Sequence, residues 1–234
     1  MQLVSTMVIL FEQLKLNKKN LLLSVLPAAL LQLPLFDVDR PAYLNLASIG
    51  AVIGHEATHH FDYNGRAFGA DGSLMAKGTN GWWTQKTAEH FEAAAKCFVR
   101  QYDNVTDLWT GKRLKGNLTL KENMADQGGL WIAYGAAFED NDEEKDENSS
   151  KIELLPGKLE TFTAEQLFFV TYAQTWCAHY ADPKYLAYQI DTDTHAPERY
   201  RVNVPLANYA PFARAFSCPA EGYRSAMNRA KSRC

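Results

Sequence analysis

Two histidines four residues apart, His55 and His59, end a stretch of sequence that is otherwise apolar. On an α-helix this spacing puts both imidazoles on one face, where they can share one metal ion. Glu56 directly follows the first histidine, so it is placed to act as general base on a water molecule bound to that metal. Burying three such polar side chains without a function would be costly. The motif therefore predicts a catalytic zinc site.

A second pair of side chains can complete this site. A catalytic zinc takes three protein ligands and keeps one position open for water. Glu122 and Asp126 place two carboxylates at i and i+4, so one can bind the metal while the other hydrogen-bonds an imidazole ligand. Such pairs also decorate exposed helix faces, and the spacing alone does not distinguish the two cases. Small and apolar neighbours favour close packing against another helix; these are Ala125, Gly128, Gly129 and Leu130.

Helices are expected to position all of these residues. Apolar residues at helical spacing predict a first helix from about Pro41 to about Phe61. Thr163 and Gln166 fit a capping box that starts a fourth helix. Signals for β-strands are scarce, so we predict a mainly α fold. The predicted helices cover residues 41–61, 82–102, 120–138, 163–180 and 206–216, and the acidic run 139–147 is expected to form a solvated loop.

The composition is that of an ordinary globular chain. With 234 residues, of which 47% are hydrophobic, one domain with a sizeable core is expected. The formal net charge of -3 gives no electrostatic reason to expect nucleic acid or an anionic membrane surface as partner. The apolar run at residues 1–11 has its lysines after it, unlike a signal peptide, and the run at 21–36 contains two prolines. We therefore predict neither a signal peptide nor a membrane-spanning segment here.

Cysteines and Asn-x-Ser/Thr triplets bear on the cellular compartment. The four cysteines are widely spaced and form no CxxC pair, so they fit either disulfides in an oxidising compartment or buried free thiols. Three triplets are candidate N-glycosylation sites and mildly favour the secretory pathway. The cysteines are Cys97, Cys177, Cys218 and Cys234, and the glycosylation candidates are Asn104, Asn117 and Asn148.

Two long segments carry a resemblance to a known family. Residues 55–62 (HEATHHFD) and 122–129 (ENMADQGG) resemble the paired signature of the neprilysin and endothelin-converting-enzyme family of zinc metallopeptidases. The resemblance implies a zincin-type, thermolysin-like helical catalytic lobe without the family's N-terminal lobe. It covers residues 27–234, so residues 1–26 are expected to be an unmatched segment. Shorter matches lie at residues 64–66, 82–83, 167–169, 174–177 and 193–197.

The resemblance implies a complete metal site. His55, His59 and Glu122 match the family's zinc ligands, so one Zn²⁺ per chain is expected. Asp126 and Asp62 match the two acids that support the zinc-bound histidines from behind. The resemblance thus assigns the ligating carboxylate, which the spacing had left open.

It also implies the catalytic residues. Glu56 matches the family's catalytic base, and Asp126 matches an aspartate that is often labelled a proton donor. His195 matches a histidine that stabilises the tetrahedral intermediate. Arg201 matches an arginine that grips a substrate carbonyl. Chemistry alone does not choose between Arg199 and Arg201, whereas the family spacing selects Arg201.

The function implied is that of a zinc-dependent metalloendopeptidase acting on oligopeptides, located outside the cell or on the ectodomain of a plasma-membrane protein. In the family, cysteines matching Cys97 and Cys234 bond to each other. Those matching Cys177 and Cys218 pair with the absent upstream part, which is a candidate partner of this chain. The alternative is a truncated, non-catalytic zinc-binding ectodomain that acts as a binding or decoy protein.

Overall fold

No β-strand occurs in the residues that the computed structural model describes, which are 24, 26–69, 72–76, 80–139 and 155–218. Within these ranges only two isolated bridges form, one between Phe68 and Leu74 and one between Thr106 and Arg113. The mainly α fold predicted from the sequence is therefore confirmed. None of the helices in these ranges is both long enough and apolar enough to cross a membrane.

Eight α-helices follow one another in the described ranges, and the first continues through a π-helical turn (Leu46–Gly50) into the second. Single 3-10 turns lie at Ala28–Leu30, Gly65–Ala67 and Gly157–Thr161. The α-helices are α1 (Ala42–Asn45), α2 (Ala51–Thr58), α3 (Gln85–Asp103), α4 (Gly116–Phe138), α5 (Ala164–Thr175), α6 (Pro183–Thr192), α7 (Glu198–Asn208) and α8 (Ala210–Ala215).

The path from α1 through the π-helical turn to α2 carries the two-histidine motif. Its start agrees with the predicted helix at residues 41–61, but α2 ends at Thr58. Beyond that point the chain tightens, because the amide of His60 donates to the carbonyl of Ala57 and that of Phe61 to Thr58. Both bonds span three residues, which is the 3-10 pattern common at helix ends.

Helix α4 begins at Gly116, four residues before the predicted start at Leu120. The amide of Gly116 donates to the carboxylate of Asp103 over 2.7 Å, so a side chain at the end of α3 satisfies an amide that the helix itself leaves free. The predicted capping box of Thr163 and Gln166 is present at the start of α5.

The region after α5 differs from the prediction. Helix α5 ends at Thr175, so residues 176–180 are not helical, and α6 follows although no helix was predicted there. Its start carries a local signal, since Asp182 accepts hydrogen bonds from the amides of Lys184 and Tyr185 over 2.7 and 2.9 Å. The predicted helix at 206–216 is wrong in its bounds. Extended backbone at Tyr209 separates α7 from α8 there.

Helix α4 lies at the centre of the fold because it contributes to two hydrophobic clusters. Tyr134 and Leu130 pack in the larger cluster with Phe168 and Phe169 of α5. Leu120 packs in the second cluster, which also contains Phe98, Tyr102, Leu186 and Ile190 from α3 and α6. Two separate cores therefore fix the position of the helix that carries Glu122 and Asp126.

Glycines set the distance between α2 and α4. A Cβ atom on Gly129 would lie 2.5 Å from the carbonyl oxygen of Ala51, and one on Gly128 would lie 2.3 Å from the hydroxyl of Thr58. On the other helix, a Cβ on Gly54 would lie 3.0 Å from the Cα of Gly129. The two backbones thus touch, as the small residues of α4 predicted.

Candidate metal centre

Helices α2 and α4 bring two imidazoles and one carboxylate together. The Oε2 atom of Glu122 lies 3.3 Å from Nε2 of His55 and 3.2 Å from Nε2 of His59. The two Nε2 atoms are 3.0 Å apart. Within the described part of the chain, His55, His59 and Glu122 are the group of metal-ligating residues whose donor atoms all lie within 4.8 Å of one another.

Two further carboxylates orient the imidazoles from behind. Nδ1 of His59 lies 2.7 Å from Asp62, and Nδ1 of His55 lies 2.8 Å from Asp126. Asp62 is itself fixed, since its other oxygen accepts from the amides of Asn64 and Gly65 over 2.7 Å each. Because Nδ1 of each ring faces an acceptor, the proton of a neutral ring belongs on Nδ1, and the Nε2 lone pair points toward Glu122.

The donor set fits a divalent zinc ion. Two Nε2 lone pairs and a carboxylate oxygen face one another at hydrogen-bond distance, which is repulsive unless protons or a cation lie among them. The Oε2 atom of Glu122 is buried and has no hydrogen-bond partner in the described residues. Imidazole nitrogen and carboxylate oxygen are ordinary zinc ligands, and three protein ligands leave a fourth position open.

The ionisation of the cluster reflects the same concentration of negative charge. Burial disfavours the imidazolium form of His59, but Asp62 and Glu122 outweigh it and raise the pKa of His59 to about 10. Burial would raise the pKa of Glu122, yet the imidazoles of His195, His55 and His59 hold it far below its ordinary value. The carboxylates of Asp62 and Glu122 therefore favour a positive charge on or between the imidazoles, supplied either by protons or by a metal ion.

His195 joins the cluster from the loop between α6 and α7. Its Nε2 atom lies 3.3 Å from Oε2 of Glu122. Asp193, which sequence reasoning did not single out as a site residue, accepts from the amide of His195 over 2.8 Å and lies 2.9 Å from its Nδ1. Burial lowers the pKa of His195, but Asp193 and Glu122 raise it overall, to about 9. Asp193 therefore aims Nε2 of His195 at the centre.

Arg201 binds Asp126, the carboxylate that faces Nδ1 of His55. Its guanidinium donates twice to that carboxylate, over 2.8 and 2.7 Å, in the paired geometry typical of arginine. The guanidinium also lies 4.0 Å from the ring centroid of Trp176, a contact that the sequence did not predict. Burial opposes ionisation of Asp126, but Arg201 and His55 lower its pKa to about 2. Asp126 thus links Arg201 to His55, whereas Arg199 is exposed.

The remaining predicted residues are placed as follows. Glu56 is half-buried on α2, beside His55. The candidate glycosylation sites Asn104 and Asn117 are exposed, and Asn148 lies outside the described residues.

The cysteines are described in part. Cys177 and Cys218 are free thiols. Because Cys234 lies outside the described residues, its bond with Cys97 stays a prediction. The domain boundary predicted after residue 26 also stays a prediction, because most of residues 1–26 lie outside the described residues.

Comparison with known proteins identifies the family. The family model described as "Peptidase family M13" matches residues 17–234. This chain belongs to peptidase family M13. Neprilysin of Homo sapiens is 43% identical to it over 203 residues, which are 85% of this chain and 25% of that protein. Neprilysin-21 of Caenorhabditis elegans is 40% identical over 197 residues, or 83% of this chain and 24% of the relative.

Solved structures with 30% or more sequence identity share the fold. The zinc metalloprotease ZMP1 of Mycobacterium tuberculosis, in complex with an inhibitor, superposes with a TM-score of 0.70 at 30% identity, over 84% of this chain and 28% of that one. A galactose-containing glycoprotein complex of Haemonchus gives a TM-score of 0.72 at 33% identity, over 85% of this chain and 31% of that one.

The chain spans about a quarter of the length of the curated relatives it matches. The resemblance to the neprilysin and endothelin-converting-enzyme family is confirmed.

Proposed function

We propose that this chain is the catalytic portion of a zinc-dependent metalloendopeptidase that hydrolyses oligopeptides. One observation carries the proposal: the buried Oε2 atom of Glu122 and the Nε2 atoms of His55 and His59 converge within 3.3 Å, while carboxylates hold the opposite ring nitrogens. Membership of peptidase family M13 supports the same activity.

The metal would be held by His55, His59 and Glu122. Asp126 and Asp62 would keep the two imidazoles in the ligating tautomer and orientation. When bound, zinc polarises a scissile carbonyl and lowers the pKa of a water molecule at its open position.

The remaining steps belong to side chains of this chain. Glu56 follows the first ligand on the same helix, and we assign it the transfer of the proton from water to the leaving amine. His195, whose Nδ1 is held by Asp193, would donate from Nε2 to the oxyanion that develops on the substrate. Arg201 is fixed between Asp126 and Trp176, so its remaining N–H groups would grip a substrate carbonyl at little cost in side-chain entropy.

Location and modification follow as part of the proposal. An extracellular or plasma-membrane ectodomain location would make the exposed Asn104 available for glycosylation. It would also allow the disulfide between Cys97 and Cys234 to form.

Replacement of the base tests the activity. Glu56→Gln preserves the size of the side chain but cannot accept the proton, so zinc content should stay at the parent level while hydrolysis of a quenched fluorescent peptide falls by at least about 100-fold. A zinc chelator should abolish the parent's activity as well. Retention of activity within tenfold in the variant would remove Glu56 from this role.

The second candidate is a non-catalytic zinc-binding ectodomain that acts as a binding or decoy protein. It would hold the metal with the same residues, His55, His59 and Glu122, but would not use Glu56 as a base. The same assay separates the two. A zinc-loaded parent chain that binds the peptide without hydrolysing it would favour the second candidate.

A further inference from the structure

A concave site lies beside the metal ligands, between α3 and the first turns of α4. Its volume is about 440 Å³. We call it the α3–α4 cleft. Its lining is partly apolar and partly basic, with Val99 and Leu118 among the apolar residues and Lys96 and Lys121 among the charged ones. Tyr63 from the segment after α2 closes one side.

The charge of the α3–α4 cleft is positive. Glu92 is its one acidic lining residue, and this carboxylate is already paired with Arg66 outside the lining. Lys96 is exposed and takes part in no ion pair among the described residues. Lys121 has a single carboxylate neighbour there, Glu122. An anion that entered the cleft would therefore find two ammonium groups and no unpaired acid.

Two contacts connect the α3–α4 cleft to the metal centre. Nζ of Lys121 lies 3.2 Å from Oε1 of Glu122, the oxygen opposite to the one that faces the imidazoles. Asn64 also lines the cleft, and its backbone amide donates a hydrogen bond to Asp62, the carboxylate that contacts Nδ1 of His59. One residue of extended peptide spans roughly 3.3 Å, so a substrate cleaved at the metal can place a neighbouring residue in the cleft.

We propose that the α3–α4 cleft binds a carboxylate of the peptide substrate through Lys96 and Lys121. The inference rests on the proposed peptidase function and names a substrate class for it. The carboxylate belongs either to an acidic side chain or to the peptide's C-terminus, since both present the same group to an ammonium ion. A zinc ion bound to Oε2 would neutralise part of the negative charge of Glu122. Less of the positive charge of Lys121 would then be balanced, so the zinc-loaded chain should prefer peptides with a carboxylate more strongly.

Binding to a chain that does not cleave tests the proposal. Labelled pentapeptides of one neutral sequence are titrated against zinc-loaded Glu56→Gln at low salt, and fluorescence anisotropy gives the dissociation constants. The set comprises a peptide blocked at both ends, versions with one Glu at successive positions, and a version with a free C-terminal carboxylate. We expect a carboxylate to tighten binding about fivefold, as an ion pair in a partly exposed cleft does. A gain from Glu identifies a side chain as the source, and a gain from the free acid identifies the C-terminus.

Charge-removing variants attribute the effect to the cleft. Lys96→Met and Lys121→Met should each reduce the preference to within about twofold, as expected when one ammonium group is lost. Lys86→Met, an exposed lysine on α3 that does not line the cleft, should leave it unchanged. Elemental analysis of Lys121→Met checks that the zinc is retained, and Lys96→Met tests the cleft away from the ligands.

Three results would overturn the proposal. These are equal dissociation constants for neutral and acidic peptides, no binding of either peptide, and a preference that survives in both lysine variants. Failure of hydrolysis in the parent chain would not affect these constants, so it bears on the proposed function alone.

Discussion

Helix α4 has two differently packed faces. Toward α5 it presents large aromatic rings, where Tyr134 stacks on Phe169 with centroids 5.5 Å apart and meets Phe168 edge to face at the same separation. Toward α2 it presents Gly128 and Gly129, and the two backbones touch. The aromatic face stabilises the helix through buried area, whereas the glycine face fixes the distance between two helices. That distance is what allows Glu122 and Asp126 to reach His55.

The comparison predicts that the aromatic face contributes most to stability. Phe168 is fully buried, so Phe168→Ala should lower the free energy of unfolding by roughly 3–5 kcal/mol. Leu108, which is 88% exposed, provides the control, and Leu108→Ala should cost less than about 1 kcal/mol. Chemical denaturation of the zinc-free chains measures both. Equal losses in the two variants would contradict the assignment of this core.

The glycine face should show a smaller loss of stability together with a loss of zinc affinity. A methyl group in Gly129→Ala would lie 2.5 Å from the carbonyl oxygen of Ala51 and 2.8 Å from the amide of His55, so α2 and α4 must separate. We expect a cost of about 1–3 kcal/mol, with zinc binding weakened at least about tenfold.

Gly135 on the same helix is the matched control for that variant. A Cβ atom there would meet only the Glu139 carboxylate, at 3.7 Å. Gly135→Ala should therefore stabilise the chain by up to about 1 kcal/mol through helix propensity and leave zinc affinity unchanged. Similar zinc affinities for Gly129→Ala and Gly135→Ala would show that the close approach does not set the site.

Asp107, in the segment between α3 and α4, can be compared with the carboxylates of the metal centre. It is also buried, but neutral donors hold it. Burial would raise its pKa, but the Thr110 hydroxyl and amide and the Tyr200 hydroxyl lower it overall. A carboxyl whose folded pKa is depressed contributes stability above its unfolded pKa, near 4, and loses that contribution as pH falls through the folded value.

The corresponding experiment compares Asp107→Asn with the parent chain at several pH values. The difference in unfolding free energy should be about 1–2 kcal/mol at pH 7 and should shrink as pH falls below about 4. A difference that stays constant down to pH 2 would mean that the ionised carboxylate does not contribute.

Local spacing was enough to predict part of the site. His55, Glu56 and His59 lie within five residues, and their mutual placement follows from helix geometry alone. The capping box of Thr163 and Gln166 is local in the same way and forms as predicted. The small residues of α4 also predicted a close helix contact, although not which glycine would touch which backbone atom.

Contacts between distant residues could not be derived from spacing. Arg201 meets Asp126 across 75 residues, and the start of α4 depends on Asp103, thirteen residues before Gly116. The α7–α8 break has a local signal that the apolar pattern of residues 206–216 conceals: Pro211 lies in the first turn of α8, where a proline is tolerated, whereas it would disrupt one continuous helix. The contacts of Arg201 and of Asp103, in contrast, are determined by tertiary packing.

Zinc stoichiometry tests the central claim most directly. The parent chain, saturated with zinc and then dialysed, should retain about one zinc per chain by elemental analysis. Glu122→Ala should retain almost none while its circular dichroism stays helical, because the carboxylate ligand at 3.2–3.3 Å from both imidazoles is lost. Glu139→Ala, an exposed carboxylate at the end of the same helix, should bind zinc like the parent. Full zinc occupancy in folded Glu122→Ala would contradict the proposed metal centre.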